Sequence, residues 1–312
     1  MTTARIVVLV PCYNEGTAIA KVVQDFRAHM PAAAIYVYDN NSTDDTFARA
    51  VEAGAIVRTE PRQGKGNVVR RMFADIEADI YILVDGDDTY DASIAPALAR
   101  KLADENLDIV SGKRIATGEA AYRPGHVMGN LMLTGLTSMI FGIKLSDMLT
   151  GYRVMSRRFV KSFPFSAEGF GIETELSVHA ARLMMPSAEV ETRYKERAEG
   201  TVSKLNTYRD GFRILYTIAT LMREERPFTF FSVIAVLFGI ASLALGAPVV
   251  LEYFRTGLVP RLPTAVLAAS LMMLASLAMM SGLILDTVTR GRWEQKRIAY
   301  LSIPGPGRLT LP

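Results

Sequence analysis

The chain has 312 residues, half of them hydrophobic and 21% charged, with a formal net charge of +3 and a single cysteine, Cys12. One cysteine excludes an intramolecular disulfide, and so small a positive balance, with no basic patch interleaved with aromatics, argues against a nucleic-acid partner. The length suits a domain of about 200 residues with an appendage of about 90, so the apolar excess must be located before it is read as core or as membrane.

Short β-branched runs at Ile6–Val10, Ile35–Tyr38, Ala55–Val57, Ile80–Val84 and Ile109–Val110 alternate with helical segments and predict βαβ units. The strands lack a period-2 alternation, as a sheet covered on both faces requires, so the class is α/β with a Rossmann-like, mostly parallel sheet. The first run is too short for a signal peptide. In such sheets ligands bind beyond the carboxyl ends of the strands. Polar clusters fall there: Tyr13-Asn14-Glu15, Asp39-Asn40-Asn41-Ser42, Asp85-Gly86-Asp87-Asp88 and Ser111-Gly112-Lys113-Arg114. Ser42-Thr43-Asp44-Asp45 predicts a helix start capped by one of the two hydroxyls.

Beyond residue 115 the alternation stops. The pattern predicts a helix from about Gly125 to Ile143, a turn over Asp147–Arg153, a strand at Val154–Met155, a helix over Glu173–Met185 and a strand over Glu189–Tyr194. Leu205–Glu224 reads as an amphipathic helix leading to a membrane. Phe228–Leu251 and Leu262–Leu285 are each 24 residues without a formal charge. As helices each reaches about 36 Å, more than the hydrocarbon thickness of about 30 Å. Arg209, Arg213, Arg223 and Arg226 precede the first span, Arg290, Arg292, Lys296 and Arg297 follow the second, and only Arg255 and Arg261 lie between. Both flanks are therefore expected on the cytoplasmic side of a cell inner membrane, with a Pro/Gly-rich disordered tail from Pro304. The expected organisation is a catalytic domain over 1–204, a juxtamembrane helix over 205–227, two spans with a short extracytoplasmic loop over 228–289 and a cytoplasmic tail over 290–312. The spans could also pack against a second copy around Gly239.

The sharpest chemical signal is Asp85-Gly86-Asp87-Asp88. Carboxylates two apart, leaving a strand through a glycine turn, can face one hard cation, Mg²⁺ or Mn²⁺, and leave positions open for diphosphate oxygens. An isolated motif of this kind is more often a solvated acidic turn, and it is the place at the end of a central strand that favours the metal. His126 and His179 lack metal-ligand spacing and read as structural.

VPCYNE at 10–15, DNNSTDDT at 39–46 and VDGDD at 84–88, in this order, resemble the family 2 glycosyltransferases of GT-A fold. Within them the likeness is to the polyprenyl-phosphate glycosyltransferases, the group of dolichyl-phosphate mannose synthase, whose bacterial members carry paired C-terminal transmembrane helices. The resemblance implies that Pro11, Tyr13 and Glu15 flank the nucleotide base and ribose and that Asp39 holds the base edge. Arg62–Asn67, with Lys65, resembles a glycine-containing segment over the nucleotide; no Walker motif can be laid on it. Asp85 and Asp87 would meet the nucleotide phosphates through the metal, Asp87 as direct ligand. Asp147, in DMLTGYR, resembles an aspartate in or near the catalytic centre, serving as base or as orienting charge. Glu173 would pin a neighbouring arginine or touch the donor sugar.

A polyprenyl phosphate is ionised near neutral pH, with a second pKa of about 6, and so needs cations to hold it more than a strong base to activate it. Arg114 and Arg123 match the family's acceptor-phosphate arginines, and Lys195, Arg197 and Lys204 supply further charge before the membrane helix. The expected activity is inverting transfer of one sugar from a nucleotide-sugar, UDP favoured over GDP, to undecaprenyl or a similar phosphate. A processive polysaccharide synthase is disfavoured because the only tryptophan, Trp293, lies beyond the second span with Thr289 where a QxxRW glutamine would stand. A non-catalytic nucleotide-binding adaptor is disfavoured by the retention of Glu15, Asp39, Asp85 and Asp87 together.

Overall fold

The computed structural model describes residues 3–116, 135, 147–164, 171–195, 216, 219–220, 222–306 and 311. The chain divides into two compact units, Met1–Gly211 with Lys296–Pro312, and Phe212–Gln295.

The first unit is built on strands β1 (Ile6–Cys12), β2 (Ala34–Asp39), β3 (Ile56–Thr59), β4 (Ile80–Leu83), β5 (Ile109–Ala116), β6 (Arg153–Ser156) and β7 (Ser187–Tyr194). They form one sheet in the order β3-β2-β1-β4-β6-β5-β7. All neighbours are parallel except β6, which runs antiparallel to both β4 and β5. That reversal has a positional consequence: β6 begins at the carboxyl rim, where Arg153 pairs with Leu83 and Ser111, so the turn that feeds it lies at the rim too.

Alternate residues of β1 enter two cores. Val8 and Val10 pack with Val37 and Ile82 against Val23 and Phe26 of α1 (Ile19–His29) and Leu98 and Leu102 of α4 (Ala95–Asp104). Val7 and Leu9 pack with Tyr81 and Leu83 against Val69, Met72 and Phe73 of α3 (Lys65–Asp75), Phe159 of α5 (Arg157–Ser162) and Leu176 of α6 (Ile172–Arg182). Burial on both faces explains the missing period-2 pattern. Each such aliphatic side chain contributes about 1.5–3 kcal/mol.

Two local expectations are corrected. Ser111–Arg114 do not follow the fifth strand but lie within it, because β5 extends to Ala116 along a parallel ladder with β7. The hydroxyls of Ser42 and Thr43 do not cap α2 (Thr46–Glu52), whose N-cap is Asp45 with no side-chain cap bond. Ser42 Oγ instead accepts from Asn14 N at 2.9 Å, fastening the loop after β1 to the loop after β2. The helix expected over Gly125–Ile143 and most of the one over Leu205–Glu224 fall outside the described residues.

The second unit contains α7 (Pro227–Thr256) and most of α8 (Leu262–Leu301), with mean hydropathies of 2.4 and 2.0 over their apolar windows. Both are long and apolar enough to cross a membrane, and only 11% and 17% of those windows is buried, unlike a soluble core helix. Gly257, at φ +69°, ends α7 in the left-handed conformation, its N–H donating to Tyr253 O at 2.8 Å. The helices meet through small residues: Ser242 Oγ donates to Ala268 O at 2.7 Å, and Gly282 faces Phe231. The second helix continues beyond its apolar stretch to Leu301.

Candidate active site

Three non-glycine residues take positive φ directly beyond the carboxyl side of β1, β2 and β4: Asn14 (55°), Asn41 (62°) and Asp88 (54°). Asn and Asp are the residues that tolerate this conformation, and such backbone persists only where its surroundings hold it. Here they do. Thr43 N donates to Asn14 Oδ1 at 2.8 Å, Asn41 Nδ2 to Pro61 O at 2.9 Å, and Lys21 Nζ to Asp88 Oδ1 at 2.9 Å.

These loops enclose a cleft of about 370 Å³ whose lining includes Pro11, Tyr13, Glu15, Lys65, Asp85 and Asp87. Tyr13 lines the cleft and is 48% exposed. Asp39, at the end of β2, is buried; its Oδ2 accepts from Ser42 N at 3.2 Å, while its buried Oδ1 has no hydrogen-bond partner. Asn40, beside it, organises the glycine-containing segment. Its Nδ2 donates to Glu60 O and Arg62 O, both at 2.8 Å, and its Oδ1 accepts from Gly64 N at 2.7 Å. Gly64 has φ +125°, which puts Lys65 at the first position of α3, over the cleft.

Lys65 Nζ bridges Asp85 Oδ1 at 2.5 Å and Glu173 Oε1 at 2.6 Å. Burial works against the ammonium, but the charges of Asp85 and Glu173 outweigh it and raise its pKa above the ordinary lysine value. Asp87 is 6% exposed and its Oδ1 accepts from Thr89 Oγ1 at 2.6 Å. The glycine between the aspartates is required, since a Cβ at Gly86 would stand 2.6 Å from Cys12 Sγ. Cys12 itself is buried, and burial, with Glu15, Asp39, Asp85 and Asp87 around it, drives its thiol pKa well up, so it is no nucleophile.

The turn before β6 packs onto the same carboxylates. A Cβ at Gly151 would collide with the Asp85 carboxylate, and Gly151 N donates to Tyr90 OH at 2.7 Å. Arg153 is fully buried. Its Nη2 donates to Met148 O (2.8 Å), Glu173 O (2.9 Å) and Ser177 Oγ (2.8 Å), which fixes the turn to the start of α6 and so places Glu173. Burial pushes the Arg153 pKa down to about 10.

Arg114 and Asp147, expected to serve separately, are a bidentate pair: Nε donates to Oδ2 at 2.7 Å and Nη2 to Oδ1 at 2.8 Å. The guanidinium carbon also lies 5.5 Å from the Tyr194 ring centre. Lys195 is 3.6 Å from Asp88 Oδ1, and its N–H donates to Thr89 O at 2.8 Å, so the end of β7 is stitched to the aspartate turn. Lys113 pairs with Glu191 at 3.3 Å on the surface. Arg123, Arg197, Lys204 and His126 lie outside the described residues. His179 sits edge-on between Phe159 and Phe163 and shares a 3.2 Å hydrogen bond with Ser162 Oγ. Among the described residues no three His, Cys, Asp or Glu side chains converge as a closed metal cage. Asp85 and Asp87 are a donor set suited to an oxygen-seeking ion that takes its remaining ligands from a diphosphate, and the Lys65 ammonium against Asp85 marks a position that already holds positive charge.

Residues 7–163 match the family model for glycosyl transferase family 2. The chain belongs to that family, and is a glycosyltransferase with the GT-A fold. It is 34% identical over 251 residues to glycosyltransferase AglJ of Haloferax volcanii, covering 78% of this chain and 80% of that protein. It is 30% identical over 219 residues to the dolichyl-phosphate hexose transferase of the same organism, covering 70% and 94%. Among solved structures, glucosyl-3-phosphoglycerate synthase from Mycobacterium tuberculosis, in complex with Mn²⁺, UDP and glucosyl-3-phosphoglycerate, aligns with a TM-score of 0.55 at 25% identity, covering 70% of this chain and 79% of that one.

Proposed function

We propose that the chain transfers a single hexose from a nucleotide-diphosphate sugar, UDP favoured over GDP, to a polyprenyl phosphate, with inversion at the anomeric carbon. The observation that carries this reading is the convergence of Asp85, Asp87 and Lys65 in one cleft, in a chain that also holds two membrane-length helices. The unpartnered Oδ1 of Asp39 suits an N–H on the edge of the base. Tyr13 suits its face. Asp87 and Asp85 would hold Mg²⁺ or Mn²⁺, which when bound would neutralise charge developing on the departing diphosphate. The Mn²⁺ and UDP named for the mycobacterial synthase support this donor chemistry.

On the acceptor side, the name of the dolichyl-phosphate hexose transferase supports a lipid phosphate, and two helices long and apolar enough to cross a membrane suit an acceptor borne by a lipid. Its phosphate attacks in line, opposite the leaving diphosphate, and Arg114, oriented by Asp147, with Lys195, Arg123, Arg197 and Lys204, holds it. Asp147 has both carboxylate oxygens engaged by Arg114, which suits orientation rather than proton abstraction. By the distribution of basic residues, 1–204 and 290–312 face the cytoplasm. The test supplies detergent-purified protein with undecaprenyl phosphate, Mg²⁺ or Mn²⁺ and labelled UDP- and GDP-sugars. Label moving into chloroform with a UDP-hexose supports the reading. Label that stays aqueous with every donor overturns it.

A further inference from the structure

We propose that Lys65 is the resident counter-cation of Asp85, keeping a divalent ion out until a nucleotide diphosphate arrives, and that Glu173 is the pivot on which Lys65 turns from carboxylate to diphosphate. The inference rests on the donor and metal reading above and says in what order the site fills.

The geometry is specific. The Lys65 stem leaves the first turn of α3 behind Gly64, and its ammonium reaches Asp85 and Glu173 together, at 2.5 and 2.6 Å. Its two partners differ in kind. Asp85 belongs to the pair suited to the metal, with its carboxylate against Gly151. Glu173 is anchored independently: it lies in the first turn of α6, where a carboxylate is favoured, and its backbone oxygen accepts from Arg153 Nη2 and Ser177 Oγ, both at 2.9 Å. Glu173 is therefore the fixed end and Asp85 the exchangeable one.

Charge sets the order. A divalent ion arriving alone at Asp85 and Asp87 meets the ammonium already seated there and must compete with it. Arriving with a diphosphate, it brings the anion that the ammonium can move to, and no positive charge is stranded. Metal and nucleotide then bind with positive coupling, each raising the affinity of the other by the same factor. This role of Lys65 leaves no mark in the sequence, because Glu173 is 108 residues away and nothing in the pattern joins them.

The test is Mn²⁺ binding followed by electron paramagnetic resonance on the purified chain, with and without UDP and with no acceptor, so that no turnover enters. The wild type is expected to bind Mn²⁺ at least about tenfold more tightly with UDP than without. Lys65→Met should bind Mn²⁺ alone about tenfold more tightly than the wild type and show little coupling to UDP, whereas Lys65→Arg should retain exclusion of the lone ion. Glu173→Gln should weaken Mn²⁺ binding in the presence of UDP several-fold, and much less in the Lys65→Met background. Thermal melts of each variant establish that it is folded, and Lys65→Gln replaces Lys65→Met if that variant is not. Unchanged affinity for Mn²⁺ alone after loss of the lysine charge overturns the inference, as does an equal Glu173→Gln effect in both backgrounds. Failure of the wild type to bind Mn²⁺ even with UDP overturns the metal reading and this inference with it, while tight, uncoupled binding overturns the inference alone.

Discussion

Asp85 and Asp87 differ in their surroundings, and single substitutions around them should separate roles. Asp87→Ala removes the more buried carboxylate and is expected to lower turnover at least about 10³-fold while leaving the thermal melt near that of the wild type. Gly151→Ala adds no functional group, yet its methyl meets the Asp85 carboxylate. Displacing that carboxylate should cost about tenfold or more in kcat/KM, read in the same assay. Asp147→Asn breaks the double hydrogen bond to Arg114 and should raise the KM for the acceptor phosphate more than the KM for the donor. Its acid limb in the pH–rate profile should stay in place; loss of that limb would make Asp147 the base. The aspartate turn is legible from its place at the end of an apolar strand, and Lys65 through the resemblance of Arg62–Asn67 to a glycine-containing segment. Tyr90 and Arg153 carry no such signal, and Asn40 shows only as part of a polar cluster at the rim, because their work is done on backbone groups of Gly64, Gly151 and Glu173, brought near only by folding.

At the scale of elements, legibility followed burial. Runs such as β1 and β4, apolar and covered on both faces, announce themselves, whereas the polar residues of β5 do not, since it is pairing with the distant β7, and with β6 as far as Ser111, that holds them extended. Similarly, the reversal of β6 is a choice of pairing that leaves no periodicity behind. Helix α6 carries a consequence for stability. Burial, aided by Lys296, pushes the His179 pKa down to about 3, between two phenylalanine rings and with Nδ1 unpartnered. Above about pH 6.5 the ring is neutral in both folded and unfolded chains and adds no pH dependence. Below that, the unfolded chain takes a proton that the folded one refuses, so stability falls by about 1.4 kcal/mol per pH unit until roughly pH 3. Melting temperatures of detergent-solubilised protein between pH 7 and 4 should show this slope, and His179→Leu should flatten it. An equal slope in both proteins would assign the acid sensitivity elsewhere.

At the scale of the molecule, the membrane-length helices are visible as charge-free runs. The end of the chain was less legible. Lys296–Pro312 group with the sheet-bearing unit, and Tyr300, in the last turn of α8, enters its core. Its OH donates to the fully buried Asp108 at 2.7 Å, and the Arg158 guanidinium stacks 4.3 Å from its ring centre. Tyr300→Phe keeps the ring and removes one bond to a charged acceptor, so about 1.5–3 kcal/mol of stability should be lost in a denaturant titration. The catalytic reading meets its most direct check in mass spectrometry of the lipid extract from one reaction that offers undecaprenyl phosphate and phosphoglyceric acid together, with UDP-hexoses and Mg²⁺ or Mn²⁺. The expected result is undecaprenyl phosphate heavier by a single hexose, absent after chelation of the metal and absent with Asp87→Ala. An unmodified lipid beside glycosylated phosphoglyceric acid, or a lipid product that survives chelation, would contradict it.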